Sequence, residues 1–145
     1  MNPRIRVAGI LLNSHGEVLM IEHQKEGKEY WLLPGGGVDY GEEVKTALSR
    51  EFLEETGLDV DVKEFLFMVE SIAPDQSRHI VNLVFLVEKK GGALHIGEEE
   101  RLKSVKYIQC SQIYDMIIYP NTKKEIIEFL ETGKINQNYL GSRWD

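Results

Sequence analysis

The chain is 145 residues long, the size of one domain, with 42% apolar and 28% charged residues, values that suit a globular fold with a buried core and exclude disorder and collagen-like repeats. Seventeen Lys and Arg stand against twenty-four Asp and Glu, a formal charge of −7, which argues against a binder of nucleic-acid polymers or anionic membranes, because those rely on basic surface to displace counterions. The single cysteine, Cys110, excludes an internal disulfide and every multi-cysteine zinc site, and agrees with a reducing cytoplasm.

Ile5 to Leu12 and Glu17 to His23 are rich in β-branched and aliphatic residues, and Asn13-Ser14-His15-Gly16 between them is turn chemistry, so the chain is expected to open with a hairpin. That apolar start is too short for the core of a signal sequence and no run of eighteen apolar residues follows, so the protein is expected to be soluble and unexported. Gln24 to Tyr30 is polar and reads as a loop; Trp31-Leu32-Leu33 resumes a short strand that Pro34-Gly35-Gly36-Gly37 stops. From about Glu42 to Thr56 no Gly or Pro intervenes, and Gly57 falls where a helix C-cap glycine belongs, which predicts a central helix. Val60 to Ile72 is strand-like, Ala73 to Arg78 a polar loop, Ile80 to Val87 the strongest strand, and Lys89-Lys90-Gly91-Gly92 a turn. Ala93 to Ile96 and Val105 to Ile108 are short candidate strands flanking the acidic run Glu98-Glu99-Glu100. Ser111 is a cap for a brief helix through Ile118, Asn121 or Thr122 for a final helix ending near Gly133, and the last dozen residues read as a loosely ordered tail. Mixed strands around one central helix, with one or two late helices, predict a single α+β domain over residues 1–145.

Asp39 to Asp59 holds seven acids (Asp39, Glu42, Glu43, Glu51, Glu54, Glu55, Asp59) and two bases (Lys45, Arg50), five of the seven net negative charges. Charged helix faces are ordinarily solvated surface, but helical geometry opposes that reading here. Val44, Ala47 and Leu48 define an apolar stripe, and its continuation places Glu51 and Glu55 where apolar residues belong, with Glu54 beside them. Three carboxylates within about one turn repel one another, and their burial is costly unless a cation neutralises them. Hard oxygen donors without histidine or thiolate favour Mg2+, with Mn2+ or Ca2+ as alternatives. Arg50 is placed to pair with Glu54 at i+4 or to reach back toward Glu43. The adjacent glycines let main chain approach an anion or metal closely.

Gly36, five residues, Glu42, seven residues, then Arg50-Glu51-Phe52-Leu53-Glu54-Glu55-Thr56-Gly57-Leu58 resembles the complete signature of the Nudix hydrolases, G-x5-E-x7-R-E-U-x-E-E-x-G-U with U a bulky apolar residue. The resemblance implies an α/β/α sandwich around a mixed sheet, with the signature as loop-helix-loop. It implies hydrolysis of a nucleoside diphosphate linked to a moiety X, giving a nucleoside monophosphate plus P-X or pyrophosphate, with a divalent metal, usually Mg2+. By similarity Glu51, Glu54 and Glu55 hold the metal, one of them takes the proton of the attacking water, and Glu54 and Glu55 are assigned as catalytic. Arg50 holds a carboxylate, and Gly36, Gly37, Glu42 and Gly57 shape the loops. Relatives often add a carboxylate from a later loop; Glu98, Glu99 and Glu100 are the candidates, with Glu100 preferred. The position of Tyr107, often Trp in relatives, is assigned to packing.

Trp31 and Tyr30 are candidates to stack on a nucleobase, and Arg4, Arg6, Lys28 and Arg78 to contact phosphate. The four histidines have no zinc-site spacing, and Cys110 is read as structural. Pro74, sixteen residues after Leu58, resembles the proline of ADP-ribose pyrophosphatases, whereas Trp31 to Gly36 departs from the pattern of dinucleoside polyphosphate hydrolases. ADP-ribose and an oxidised triphosphate such as 8-oxo-dGTP therefore stand level as substrates. The competing readings are a Nudix domain that binds nucleotides without cleaving them, and an isomerase of the isopentenyl diphosphate type, for which Cys110 is badly placed. The resemblance also admits a homodimer.

Overall fold

The computed structural model describes residues 2–144. Its longest strand, β5 (Leu58–Ile72), folds back on β6 (His79–Gly92), from Leu58 opposite Gly92 to Ile72 opposite His79. This hairpin is the spine of a five-stranded sheet. β1 (Arg4–Leu11) runs parallel to β6, β4 (Gly35–Gly37) antiparallel to β1, and β8 (Tyr139–Ser142) parallel to β5, in the order β4-β1-β6-β5-β8. A second sheet pairs β2 (Val18–Lys25) with β3 (Lys28–Leu32) on one side and β7 (Leu102–Ile108) on the other.

Helix α1 (Val44–Thr56) packs on one face of the large sheet, where its Ala47, Leu48 and Phe52 are fully buried with Val7, Leu11, Leu19 and Leu58. Helices α2 (Cys110–Ile113) and α3 (Lys123–Thr132) cover the other face, where Ile113, Ile126 and Phe129 join Ala8, Ile10, Met20, Phe67 and Val69. Val7 and Ala8 are sequence neighbours in opposite clusters, the period-two alternation of a strand buried on both faces. Each fully buried Phe or Leu contributes roughly 1.5–3 kcal/mol. The mixed sheet between helices is the expected α+β architecture. No helix among the described residues is long and apolar enough to cross a membrane.

Several local expectations are corrected. β1 and β2 are not a hairpin: beyond the antiparallel bridge Leu12–Val18 they part into different sheets. Gln24 to Tyr30 is not a loop but a hairpin around Glu26 and Gly27, both at positive φ. Gly91 and Gly92 continue β6, because Gly92 passes so close to Gly57 that a Cβ would lie 2.4 Å from its carbonyl oxygen. Residues 93–96 form no strand, α2 stops at Ile113 and is capped from Gln109, and the expected tail supplies β8. The final helix ends as predicted, at Gly133 in the left-handed conformation.

Candidate active site

The C-terminus of α1 is closed by Gly57 at φ 75°, whose N–H donates to the Leu53 carbonyl. The loop after β6 caps the same end: the His95 and Gly97 N–H groups donate to the carbonyls of Thr56 and Glu55 at 2.9 and 3.0 Å. These bonds satisfy carbonyls that a helix end leaves without partners.

On the inner face of α1, Glu55 is only 8% exposed, and its Oε1 accepts the Gly35 N–H at 2.9 Å while its second oxygen takes no hydrogen bond among the described residues. Burial pushes the Glu55 carboxyl up to about 7, against the pull of the Gly35 N–H and Arg6. Glu51, one turn earlier, lies against Gly36: a Cβ there would be 2.3 Å from the Glu51 carboxyl carbon, which is why glycine is needed. Burial raises the Glu51 carboxyl as well, while Arg50 opposes the shift. Glu54 points outward, its side chain 58% exposed and 3.5 Å from Arg50.

Arg50 ties the preceding loop to the helix. Its Nε and Nη2 donate to the two Glu42 oxygens at 2.9 Å each, Nη1 to Glu51 at 2.9 Å, and Nη2 to the Gly37 carbonyl at 3.1 Å. The principal partner is therefore Glu42, and the expected reach toward Glu43 is not made, because the loop swings Glu42 back over the helix. This forked pairing, with the Asp39 N–H, holds the Glu42 carboxyl down at about 2.

Glu51, Glu55 and the Gly35–Gly37 main chain form the inner end of a cleft of about 530 Å³ between the two sheets. One wall is Arg4, Arg6, Asn82, Ile80, Ser71 and Arg78; the other is His23, Lys25, Lys28, Tyr30 and Leu32. Glu99 and Arg101 reach in from the loop that caps α1, and Tyr119, Pro120, Arg143 and Trp144 close the side near β8. Arg6, half-buried and drawn below its ordinary value by desolvation, faces Glu55 and Glu51, which oppose the shift.

The NUDIX domain profile matches residues 2–130 of the chain. The chain belongs to the Nudix family. An ADP-ribose pyrophosphatase of Methanocaldococcus jannaschii is 34% identical over 101 residues, 70% of this chain and 60% of that protein. The 8-oxo-dGDP phosphatase of Homo sapiens is 36% identical over 101 residues, 69% of this chain and 30% of that protein. The match thus spans less than two thirds of either relative. Among solved structures, a Nudix hydrolase from Nitrosomonas europaea superposes with TM-score 0.79 at 18% identity over 92% of each chain. A Streptococcus suis ADP-ribose pyrophosphatase superposes with TM-score 0.70 at 17% identity, covering 99% of this chain and all of the other. These two likenesses show the Nudix fold.

Within the Nudix frame the remaining predicted residues divide. Gly36, Gly37 and Arg78 line the cleft, as do Arg4, Arg6 and Lys28. Trp31 does not: strand alternation turns it to the core, under Lys106 Nζ at 5.3 Å from its ring centroid, while Tyr30 faces the cleft 5.5 Å from the His23 ring and 5.2 Å from Tyr119. Glu100 is also displaced, because Glu99 is the member of the acidic run that lines the cleft, held there by Arg101. Tyr107 packs against the α1 cluster. Among the described residues no three acidic or histidine side chains are drawn around a common point. The donor set nonetheless fits a hard divalent cation: a buried carboxyl with one open oxygen, a second carboxyl against bare glycine backbone, and a third one residue away. The cleft also contains His23, Lys25, Asn82, Arg101, Tyr119, Arg143 and Trp144, none of them singled out from the sequence alone; the period-two alternation of His23 and Lys25 shows only once Gln24 to Tyr30 is a hairpin rather than a loop.

Proposed function

We propose that this chain is a divalent-metal-dependent pyrophosphohydrolase that cleaves a nucleoside diphosphate linked to X, giving a nucleoside monophosphate and P-X or pyrophosphate. The observation that carries this is the meeting of Glu51 and Glu55 with the Gly35–Gly37 backbone at the end of a cleft lined by arginines. Relatives whose names specify ADP-ribose and 8-oxo-dGDP support the substrate class. Glu51, Glu54 and Glu55 are the residues that would hold Mg2+ or Mn2+. The bound cation would neutralise phosphate charge and lower the pKa of water. Arg6 faces the carboxylates and offers its donors to phosphate oxygens. Glu54 or Glu55 accepts the proton of the attacking water, with Glu99 as the further carboxylate from the late loop. Arg50, through Glu42 and Gly37, keeps the signature loop in register with α1. The single cysteine suits a cytoplasmic enzyme, and the homodimer that the resemblance admits is part of this reading; a light-scattering mass near 16.7 kDa would remove the dimer.

The test is a hydrolysis screen with Mg2+ and Mn2+ against ADP-ribose, 8-oxo-dGTP, canonical triphosphates, dinucleoside polyphosphates and nucleotide sugars. A dominant substrate yielding a nucleoside monophosphate, with activity lost in Glu55→Gln, is expected. Undiminished turnover in Glu55→Gln overturns the assignment, and binding without turnover by the parent protein moves it to a nucleotide-binding domain.

A further inference from the structure

The cleft gathers like charge that the fold leaves uncompensated. Two of the cations lining it are paired, Arg101 with Glu99 and Arg143 with Glu125, as are Lys90 with Asp59 and Asp61 and Lys103 with Glu29 on the outer surface, where Lys45, Lys89, Lys124 and Lys134 stand singly without an ion pair among the described residues. Among the described residues, the side chains of Arg4, Arg6, Lys25, Lys28 and Arg78 make neither a hydrogen bond nor an ion pair, and all five gather in one cleft of a chain whose net charge is −7. Lys25 and Lys28 are direct cross-strand partners, an arrangement of like charges that destabilises a hairpin unless an anion lies between or over them.

Their placement is ordered. β1 and β2 meet at the Leu12–Val18 bridge and part from there into different sheets, so Arg4 and Lys25 mark the same, open end of the cleft. Arg6 faces Glu51 and Glu55 at the inner end. Arg4, two residues before Arg6 on β1, has its Cα about 7 Å farther out by strand rise, and its guanidinium lies beside Gly37, at the outer end of β4. Arg4 is paired with Ile80, next to the loop that carries Arg78. The mouth is thus cationic on both lips, Arg4 and Arg78 on the large sheet and Lys25 and Lys28 on the small one.

We propose that this mouth is a second anion site, a two-sided clamp for a phosphoryl group separate from the pyrophosphate that is cleaved. Resting on the hydrolase reading above, it makes the preferred substrate a nucleoside diphosphate derivative that carries a further phosphate on one of its sugars. A pyrophosphate engaged by the Glu51–Glu55 end and Arg6 leaves the outer four cations unserved, whereas a phosphorylated sugar extends the anion to them.

The experiment compares ADP-ribose with the same compound phosphorylated on its adenosine ribose or on its terminal ribose. One phosphorylated member is expected to exceed ADP-ribose by about tenfold or more in kcat/KM, expressed in KM, the size of a charge-assisted contact. The preference should collapse in Lys25→Ala/Lys28→Ala and in Arg4→Ala/Arg78→Ala, and persist in Lys134→Ala, remote from the cleft. Equal handling of all three compounds, or a preference that survives both double variants, overturns the clamp. If nothing is turned over, the hydrolase reading fails by itself, and the clamp is read from calorimetric binding of the same compounds with Ca2+: tighter binding of a phosphorylated member, lost in the double variants, sustains it, and equal binding overturns it.

Discussion

Gly35 and Gly36 are adjacent but answer to different neighbours, and this separates fold from chemistry. A Cβ on Gly35 would meet the Val7 carbonyl oxygen at 1.9 Å, rigid backbone in the middle of a sheet, whereas one on Gly36 would meet the far end of the Glu51 side chain. Gly35→Ala is therefore expected to cost about 3 kcal/mol in denaturant unfolding. Gly36→Ala should cost less than about 1 kcal/mol yet lower metal-dependent turnover by roughly 10- to 100-fold, because it displaces a carboxylate that needs its position. Equal thermal shifts in the two variants would contradict this division. Glu55→Gln keeps the acceptor for the Gly35 N–H and removes the charge, so it is expected to fold normally while turnover falls by about 100-fold or more. His23 gives the pH dependence. Burial, with Arg101 and Arg6 nearby and Glu99 opposing, draws its imidazole down to about 4 from 6.5. The unfolded chain takes up this proton first as pH falls, so the His23 contribution to native stability declines across the window from about 6.5 to about 4, while Glu55, which the folded protein protonates near 7, acts in the opposite direction. On going from above to below that window, the denaturant midpoint of His23→Gln should therefore rise relative to that of the parent protein.

The extent of α1 could be read before the structure because its signals are local: an unbroken stretch ending at Gly57, and acids in line with Val44, Ala47 and Leu48. Pairing could not. Asn13 to Gly16 announces a turn, but turn chemistry brings two strands together without saying whether they stay in one sheet. Which of the two stacking candidates, Trp31 or Tyr30, faces the cleft, and whether Glu99 or the preferred Glu100 does, are matters of parity, one residue either way, which only packing against the core resolves. Gly91 and Gly92 carry turn chemistry in sequence, but their reason lies across the sheet, in Gly57 and Leu58. The last residues are ordered for a similar cause: β8 is held by β5 and by Arg143, whose forked hydrogen bonds to Glu125 at 2.7 and 3.0 Å join the C-terminal segment to α3. With Glu125 only 6% exposed, Arg143→Ala is expected to cost about 2 kcal/mol, roughly 6–8 °C in Tm. The loop that caps α1 invites a parallel test. A Cβ on Gly97 would lie 2.6 Å from the Glu54 carbonyl oxygen, so Gly97→Ala should speed amide exchange over residues 93–101 and reduce kcat/KM, with the core amides of β5 and β6 unchanged.

An acidic protein with a basic cleft presents two fields to an anionic substrate: a repulsive one at long range and an attractive one at the mouth. The cleft field is expected to dominate capture, so kcat/KM should fall several-fold as ionic strength rises from about 0.01 to about 0.15 M; a rise with salt would mean that the net charge governs encounter instead. The division of β1 and β2 between two sheets has a mechanical corollary. The two strands diverge from the Asn13–Glu17 turn, where the Asn13 side chain accepts the His15 and Glu17 N–H groups and donates to the Glu17 carboxylate. Each is eight residues long, about 25 Å at strand rise, and both are fastened along their length by the same cores, Val7 and Leu11 with Leu19 on one face and Ala8 and Ile10 with Met20 on the other. The width of the mouth at Arg4 and Lys25 is therefore held by packing rather than by the turn, so Asn13→Ala should lower Tm while leaving the ranking of bulky and small ligands unchanged.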